Sequence, residues 1–115
     1  MNLNLDPTAI QRLLKAGGPD LVRQMVCLFL ENMPRRLAGA AAAAKAGNWP
    51  EVERAFHSMK SSAGYLGLEG LADYAARIEL YASQGLERDL APLLQELSAS
   101  LPAIQTVARK LAQVP

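Results

Sequence analysis

The spacing of apolar residues constrains the fold most, because these residues recur every three or four positions through most of the chain. Such steps place side chains on one face of an α-helix, since each residue advances the helix by about 100°. The pattern is clearest in the last quarter of the chain. There it predicts the seam of a helical bundle along Leu90, Leu94, Leu97, Leu101, Ile104, Ala108 and Leu111.

Helix start and stop residues divide the chain into five predicted helices. The first begins with Asp6 as N-cap and Pro7 in the first turn, and Gly17-Gly18 ends it. The second is expected to continue through Pro34 with a kink, because its apolar stripe resumes in phase. The other helices are predicted from Pro19 or Asp20 to Ala46, from near Pro50 to Gly67, from Glu69 to Ser83 and from about Leu90 to Leu111.

Long amphipathic helices joined by short loops predict an all-α fold. We expect an antiparallel up-and-down four-helix bundle made of the second to fifth helices, with the short first helix as an N-terminal cap. Leucine and alanine dominate the composition and β-branched residues are sparse, which also favours helices over a sheet. The 115 residues contain no repeat or linker, so a single domain spanning 1–115 is predicted.

Composition and charge exclude several classes of function. Twelve basic and eleven acidic residues give a net charge of +1 without a basic cluster, so no nucleic-acid partner is expected. No apolar run approaches the roughly 18 residues of a membrane helix, and the N-terminus lacks the features of a signal peptide. The single cysteine, Cys27, lies in an apolar stretch and is expected to be buried or half-buried. We therefore expect a cytoplasmic monomer with no membrane partner.

The only histidine, His57, lies in the third predicted helix. The predicted core stripe of that helix covers roughly 80° of the helical wheel and consists of Val52, Phe56, Met59, Ala63 and Leu66. On the same wheel His57 is about 140° from the centre of the stripe. The imidazole is therefore expected to be exposed.

One lysine and two small residues follow His57 on its side of the helix. Lys60 and Ser61 follow it by three and four positions and Gly64 by seven, so all three share its side. The histidine, the lysine and the glycine each have an ordinary explanation. A lone histidine is often only a polar surface residue, a lysine is usually solvated, and a glycine can permit a helix crossing. A glycine inside a helix nevertheless costs about 1 kcal/mol relative to alanine. The combination favours a site where a large partner reaches the imidazole.

The inventory of reactive residues leaves one kind of chemistry. One histidine and one cysteine are too few for a zinc site, and neither a glycine-rich phosphate loop nor a serine–histidine–acid scaffold is recognisable. A histidine nucleophile without catalytic surroundings of its own remains. A neutral imidazole can carry a phosphoryl group as a phosphoramidate, and Lys60 could offset the added negative charge. No cofactor is expected on this chain, and Mg²⁺ would come with the partner.

The stretch HSMKSSAGYLG, residues 57–67, resembles the signature of histidine-containing phosphotransfer (HPt) domains, which is roughly His-x-x-Lys-Gly followed by small residues and a glycine. The residues in register are His57, Lys60, Ser62, Ala63 and Gly67, and the wider resemblance extends from about Leu21 to Leu97. One departure is Ser61, which stands where the family usually has glycine. Its hydroxyl is open to three interpretations: a hydrogen bond to the imidazole or phosphoryl oxygens, a restriction on partner choice, or a slowing of transfer.

The resemblance implies a phosphorelay intermediate. His57 would accept a phosphoryl group from the aspartate of one receiver domain and donate it to another response-regulator receiver. Lys60 would support the phosphohistidine, and Ser61 and Gly64 would belong to the docking surface. The implied partners are response-regulator receivers and a hybrid sensor histidine kinase, and the chain would be a phosphocarrier rather than an enzyme.

Three alternatives stay open. A helical adaptor could bind a receiver or kinase domain without being phosphorylated, which the serine at position 61 motivates. A structural bundle could oligomerise through the alanine-rich face of the second helix. The dimerisation helix of a histidine kinase is disfavoured, because Ser58 rather than an acid follows His57 and no ATP-binding domain is recognisable.

Overall fold

The computed structural model of the chain describes residues 1–114, and the regular secondary structure in that range is helical. The helices, in chain order, are α1 (Pro7–Lys45), α2 (Trp49–Tyr65), α3 (Glu69–Ser83) and α4 (Glu87–Leu111). Within these residues α1 contacts α2 and α4, and α3 also contacts α2 and α4. The predicted all-α class is confirmed. The antiparallel order and the capping role of the first helix stay predictions.

Gly18 interrupts α1. Its φ of 73° and ψ of −169° lie outside the helical region, in a conformation that glycine adopts without steric penalty. Pro19 follows, and its fixed φ suits the first turn of a new helical segment. The predicted end of the first helix at Gly17-Gly18 is therefore confirmed, and α1 continues through Pro34 with helical dihedral angles.

One hydrophobic core fills the space between the helices. All five residues predicted to form the core face of α2 are at most 1% exposed, namely Val52, Phe56, Met59, Ala63 and Leu66. Leu90, Leu97 and Ile104 of α4 are also fully buried, as their spacing predicts. Burying one large apolar side chain contributes about 1.5–3 kcal/mol, so this core supplies most of the favourable free energy of folding.

Cys27 is exposed, so the prediction of a buried or half-buried thiol was wrong. The buried stripe of this part of α1 runs through Val22, Val26 and Phe29. Cys27 follows Val26 by one residue and therefore lies about 100° around the helix from it. Leu28 is likewise 49% exposed. The apolar run at residues 25–30 is thus not buried on every side.

Residues 2–6, called the N-terminal strap below, cross the connection between α2 and α3. The N–H of Asp6 donates to the carbonyl oxygen of Gly67 at 2.7 Å, and the N–H of Glu69 donates to the carbonyl oxygen of Asn4 at 3.1 Å. These bonds flank an isolated antiparallel bridge between Leu5 and Leu68. The strap leads directly into α1.

Asp6 caps the N-terminus of α1 as predicted. Its carboxylate accepts the hydroxyl of Thr8 at 2.7 Å and the backbone N–H of Thr8 at 2.9 Å. These hydrogen bonds lower the pKa of Asp6, because they stabilise the ionised form.

No helix in the described part of the chain is long and apolar enough to cross a membrane.

Candidate functional site

The site lies midway along α2, where both ends of the helix are fixed by local interactions. The side chain of Asn48 accepts the N–H of Glu51 at 3.4 Å, and Pro50 stands in the first turn. Beyond the other end, Gly67 adopts a φ of 74°, the left-handed conformation that commonly follows a helix C-terminus. His57 is therefore presented from the middle of a well-terminated helix.

The imidazole of His57 faces outward from the bundle. Its side chain is 64% exposed, whereas the adjacent Phe56 is fully buried. The exposure agrees with the position of His57 on the helical wheel. A protein partner can therefore approach the ring without any rearrangement of the core.

Glu79 of α3 holds one edge of the imidazole. Its Oε1 lies 2.8 Å from Nδ1 of His57, and its Oε2 lies 2.9 Å from Nζ of Lys60. One carboxylate thus bridges the histidine and the lysine, with a different oxygen for each. The Glu79 side chain is only 19% exposed, so these contacts are partly shielded from water.

The ionisation of Glu79 fixes the tautomer of the neutral histidine. Partial burial raises the pKa of Glu79, but the hydrogen bonds from Lys60 and His57, together with their charges, outweigh burial and lower it. An ionised carboxylate only accepts hydrogen bonds, so Nδ1 of His57 carries the proton in the 2.8 Å contact. In the neutral ring the lone pair then resides on Nε2, the nitrogen that a nucleophilic attack requires.

Lys60 is joined to His57 through Glu79. Its side chain is 39% exposed and its ammonium lies on the second carboxylate oxygen. The predicted proximity of Lys60 to the histidine therefore holds in an indirect form. The ammonium neutralises a carboxylate beside the ring, and its exposure leaves it able to re-pair with a new anion.

Ser61 and Gly64 occupy the predicted side of α2. The hydroxyl of Ser61 donates to the carbonyl oxygen of His57 at 3.3 Å, a contact between adjacent turns of the helix. The hydroxyl therefore does not bond to the imidazole. No heavy atom beyond its helical neighbours lies within 4 Å of a Cβ added at Gly64, so the surface above it is open.

Glu79 is the residue of this site that sequence analysis missed. It lies 22 positions after His57, so no local motif connects the two. The turn at Gly67 offered an indirect signal, because helices that fold back there bring residues at similar distances from the turn to a similar height. Residue pairing across helices depends on their packing, which the sequence pattern does not fix.

Metal-ligating side chains are distributed over the described residues without forming a cluster. Among residues 1–114, no group of three or more His, Cys, Asp or Glu side chains has the arrangement of a metal site.

An outward histidine on a helical bundle, held by a carboxylate and an ammonium, is an arrangement suited to carrying a phosphoryl group. The model of the Hpt domain family matches residues 24–112, and the chain belongs to that family. Members of this family act in histidine phosphotransfer in the phosphorelays of two-component signalling, and this chain shares that role in general terms.

The fold is similar to that of a solved structure, histidine-containing phosphotransfer protein B (HptB) from Pseudomonas aeruginosa PAO1. The similarity has a TM-score of 0.84 and covers 95% of this chain and 94% of that one, at 20% sequence identity. At this identity the likeness establishes the fold alone. No curated protein sequence matches the chain.

Proposed function

We propose that His57 is the phosphoryl acceptor of a phosphorelay intermediate. The chain receives the group from the aspartate of one receiver domain and passes it to the receiver of another response regulator. The observation that carries the proposal is the exposed imidazole whose Nδ1–H is bound by Glu79, because this contact places the lone pair on Nε2. The donor receiver domain belongs to a hybrid sensor histidine kinase.

The transfer step balances without a catalytic base on this chain. The Nε2 lone pair attacks the phosphorus of the receiver's aspartyl phosphate, a P–N bond forms, and the P–O bond to the aspartate breaks. The aspartate leaves as a carboxylate with the electron pair. Positive charge develops on the imidazole in this step, and the carboxylate of Glu79, 2.8 Å from Nδ1, stabilises it. Reversal of the step on a second receiver returns the neutral ring.

Lys60 supports the phosphorylated state in this proposal. The phosphoryl group adds about two negative charges beside an ammonium that is 39% exposed. The ammonium can exchange part of its contact with Glu79 for the phosphoryl oxygens, since a flexible lysine side chain acts as a mobile point charge. Mg²⁺ and the remaining transfer machinery belong to the receiver, so the chain serves as a carrier rather than an enzyme.

The partner binds along the exposed side of α2. Ser61 and Gly64 follow His57 on that side, and the open surface at Gly64 gives a receiver room to approach.

The short connections and the contacts of each helix with two neighbours support an antiparallel up-and-down bundle, with residues 7–17 as its cap. The protein acts in the cytoplasm, as a monomer in this proposal.

The proposal is tested by phosphoryl transfer from a phosphorylated receiver domain to the wild-type protein and to His57→Gln. Wild type should take the label and His57→Gln should not, because the amide has no comparable nucleophilic nitrogen. The label should be acid-labile and alkali-stable, as a phosphoramidate is.

Equal labelling of both proteins would refute the assignment of His57. Ser58→Ala is the matched control, because it changes an adjacent residue whose hydroxyl makes no hydrogen bond to the imidazole, which bonds to Glu79. If wild type binds the receiver without taking any label, the chain is the unphosphorylated adaptor instead.

A further inference from the structure

The carboxylate of Glu79 is committed to two partners. Its Oε1 lies on the imidazole of His57 and its Oε2 on the ammonium of Lys60, at 2.8 and 2.9 Å. The positions one helical turn before and after it on α3, which are 75, 76, 82 and 83, hold three alanines and a serine. The charge of Glu79 therefore acts on the histidine and the lysine without competition from its own helix.

Other charged groups of α2 near the imidazole act on it from a greater distance. Glu53 and Arg54 precede His57 by one helical turn, and the guanidinium of Arg54 is paired with Glu51 at 2.7 Å. The hydrogen bond of the imidazole goes to Glu79. The electrostatic environment of Nδ1 is therefore set first by the carboxylate from α3.

In the described part of the chain, α1 and α3 are the helices that pack against α2. On this side of the bundle α1 carries two arginines, and each has a partner of its own. Arg12 pairs with the carboxylate of Asp6 at 3.2 Å, and Arg36 donates to the hydroxyl of Ser62 at 3.0 Å. The α1 cations are thus engaged away from the imidazole.

Phosphorylation at Nε2 leaves the Nδ1 edge of the ring against Glu79. An ionised carboxylate only accepts hydrogen bonds, so a phosphorylated ring without its Nδ1 proton would point a lone pair at a carboxylate oxygen. With the proton in place the ring is positively charged, and the adjacent carboxylate offsets that charge. The side chain of Glu79 is only 19% exposed, which limits screening of this interaction by water.

The Nδ1 proton decides how readily the phosphoryl group leaves. In release the P–N bond breaks, a P–O bond forms to the next aspartate or to water, and the electron pair of the broken bond stays on Nε2. A protonated ring leaves as neutral imidazole with its proton still on Nδ1. A ring without that proton would have to leave as an anion. The protonated ring therefore releases the phosphoryl group, and the deprotonated ring retains it.

Lys60 makes the influence of Glu79 depend on phosphorylation. In the unphosphorylated protein its ammonium, 2.9 Å from Oε2, offsets part of the carboxylate charge. A phosphoryl group adds about two negative charges beside the same ammonium and competes for it. Any shift of the ammonium towards the phosphoryl oxygens leaves the carboxylate less neutralised, and its hold on the Nδ1 proton becomes stronger.

We propose that Glu79 is a positioning residue that keeps Nδ1 of the phosphorylated His57 protonated and thereby keeps the phosphoryl group ready for release. The inference rests on the proposed phosphorelay function, because it concerns the phosphorylated state of His57. It goes beyond that function by assigning to a carboxylate on α3 the control of how long the chain retains the group.

Glu79→Gln tests the proposal, with Glu53→Gln as the matched control. Each protein is phosphorylated with phosphoramidate, a small donor that needs no docking, and the nitrogen chemical shifts of the phosphorylated ring are followed against pH. In Glu79→Gln the midpoint for loss of the Nδ1 proton should fall by about one pH unit, because a contacting opposite charge is removed. Glu53→Gln removes the same charge one helical turn away and should shift the midpoint by less than about half a unit.

Two further measurements use the same samples. At a pH between the two midpoints the label should be lost about threefold more slowly from Glu79→Gln than from wild type, because fewer rings are protonated. Unfolding phosphorylated wild type in urea should also lower the midpoint by about one pH unit, because the contact with Glu79 is lost. The urea experiment needs no variant, so it serves even if Glu79→Gln folds poorly.

The outcomes separate this inference from the function on which it rests. Equal midpoints in Glu79→Gln and Glu53→Gln, or a midpoint in wild type that urea does not move, would overturn the role of Glu79. Wild type would in that case still take its label from a phosphorylated receiver. Failure of receivers to label wild type would instead overturn the phosphorelay function, while the ring labelled by phosphoramidate would still report the effect of Glu79.

Discussion

The inner and outer faces of α2 differ in solvent exposure and in what their residues contribute. The inner face is closed, since Val52, Phe56 and Ala63 are fully buried. The outer face carries His57, with a side chain that is 64% exposed, and an open surface at Gly64. Residues on the inner face contribute stability, and residues on the outer face contribute reactivity and room for a partner. Stability and reactivity therefore depend on residues on opposite sides of one helix. Substitutions on each side can test how independent the two properties are.

The largest effect on the inner face should come from Phe56→Ala. Phe56 is fully buried, so the substitution leaves a cavity and should lower the free energy of unfolding by about 3–5 kcal/mol. Urea unfolding followed by circular dichroism measures this loss. The transfer rate of the remaining folded protein should stay within about twofold of wild type, because the contacts of His57 lie on the other face. A much slower transfer per folded molecule would show that the buried face also controls the reactivity of His57.

Glu79 should have the next largest effect, and it acts on reactivity. Glu79→Ala removes the acceptor of the Nδ1 proton and should slow transfer about tenfold, whereas Glu79→Gln retains an acceptor oxygen and should slow it less. Nitrogen chemical shifts of the imidazole provide an independent measurement, because they distinguish the two neutral tautomers. An unchanged tautomer in Glu79→Ala would contradict the role of the carboxylate.

The lowered pKa of Glu79 also predicts how acid affects its contribution. Above the ordinary value of 4.5 the carboxylate is ionised in the folded and unfolded chain alike, and its stabilising contacts are fully present. As pH falls below 4.5 towards the lower pKa of the folded state, the unfolded chain takes up the proton first and stability is lost. The difference in unfolding free energy between wild type and Glu79→Gln should therefore shrink as pH falls below 4.5.

The smallest effect should come from Ser61→Gly. The hydroxyl bonds to the backbone of α2 rather than to the imidazole, so transfer should change by less than about twofold. Stability should fall by about 0.5 kcal/mol, because glycine is a poorer helix former than serine. A large loss of transfer in a kinetic assay would instead show that the hydroxyl contacts the receiver or the phosphoryl group.

The inner face of α2 could be predicted from sequence because it depends only on helical periodicity. Phe56 and Met59 are buried where a turn of about 100° per residue places them, and the same rule turns His57 outward. The break at Gly18 was predictable for a similar reason, since a Gly-Gly-Pro sequence carries local conformational preferences.

Properties that depend on packing between elements could not be predicted in this way. The contact between His57 and Glu79 joins two helices, and its existence depends on their relative height and rotation. The exposure of Cys27 was missed because an apolar run was treated as buried on all sides. The N-terminal strap was also missed, because its bonds are made by backbone atoms that carry no sequence pattern.

The link between Glu79 and His57 gives the connection at Gly67 a significance beyond its own contacts. The connection between α2 and α3 is short and its backbone is fixed by the strap, so one residue inserted there would displace α3 relative to α2 and carry the carboxylate away from both of its partners. The same insertion between α3 and α4 would leave that pair untouched. The length of this connection therefore affects the reactivity of the imidazole through its contact with Glu79. We expect length changes to be tolerated more readily in the other loops.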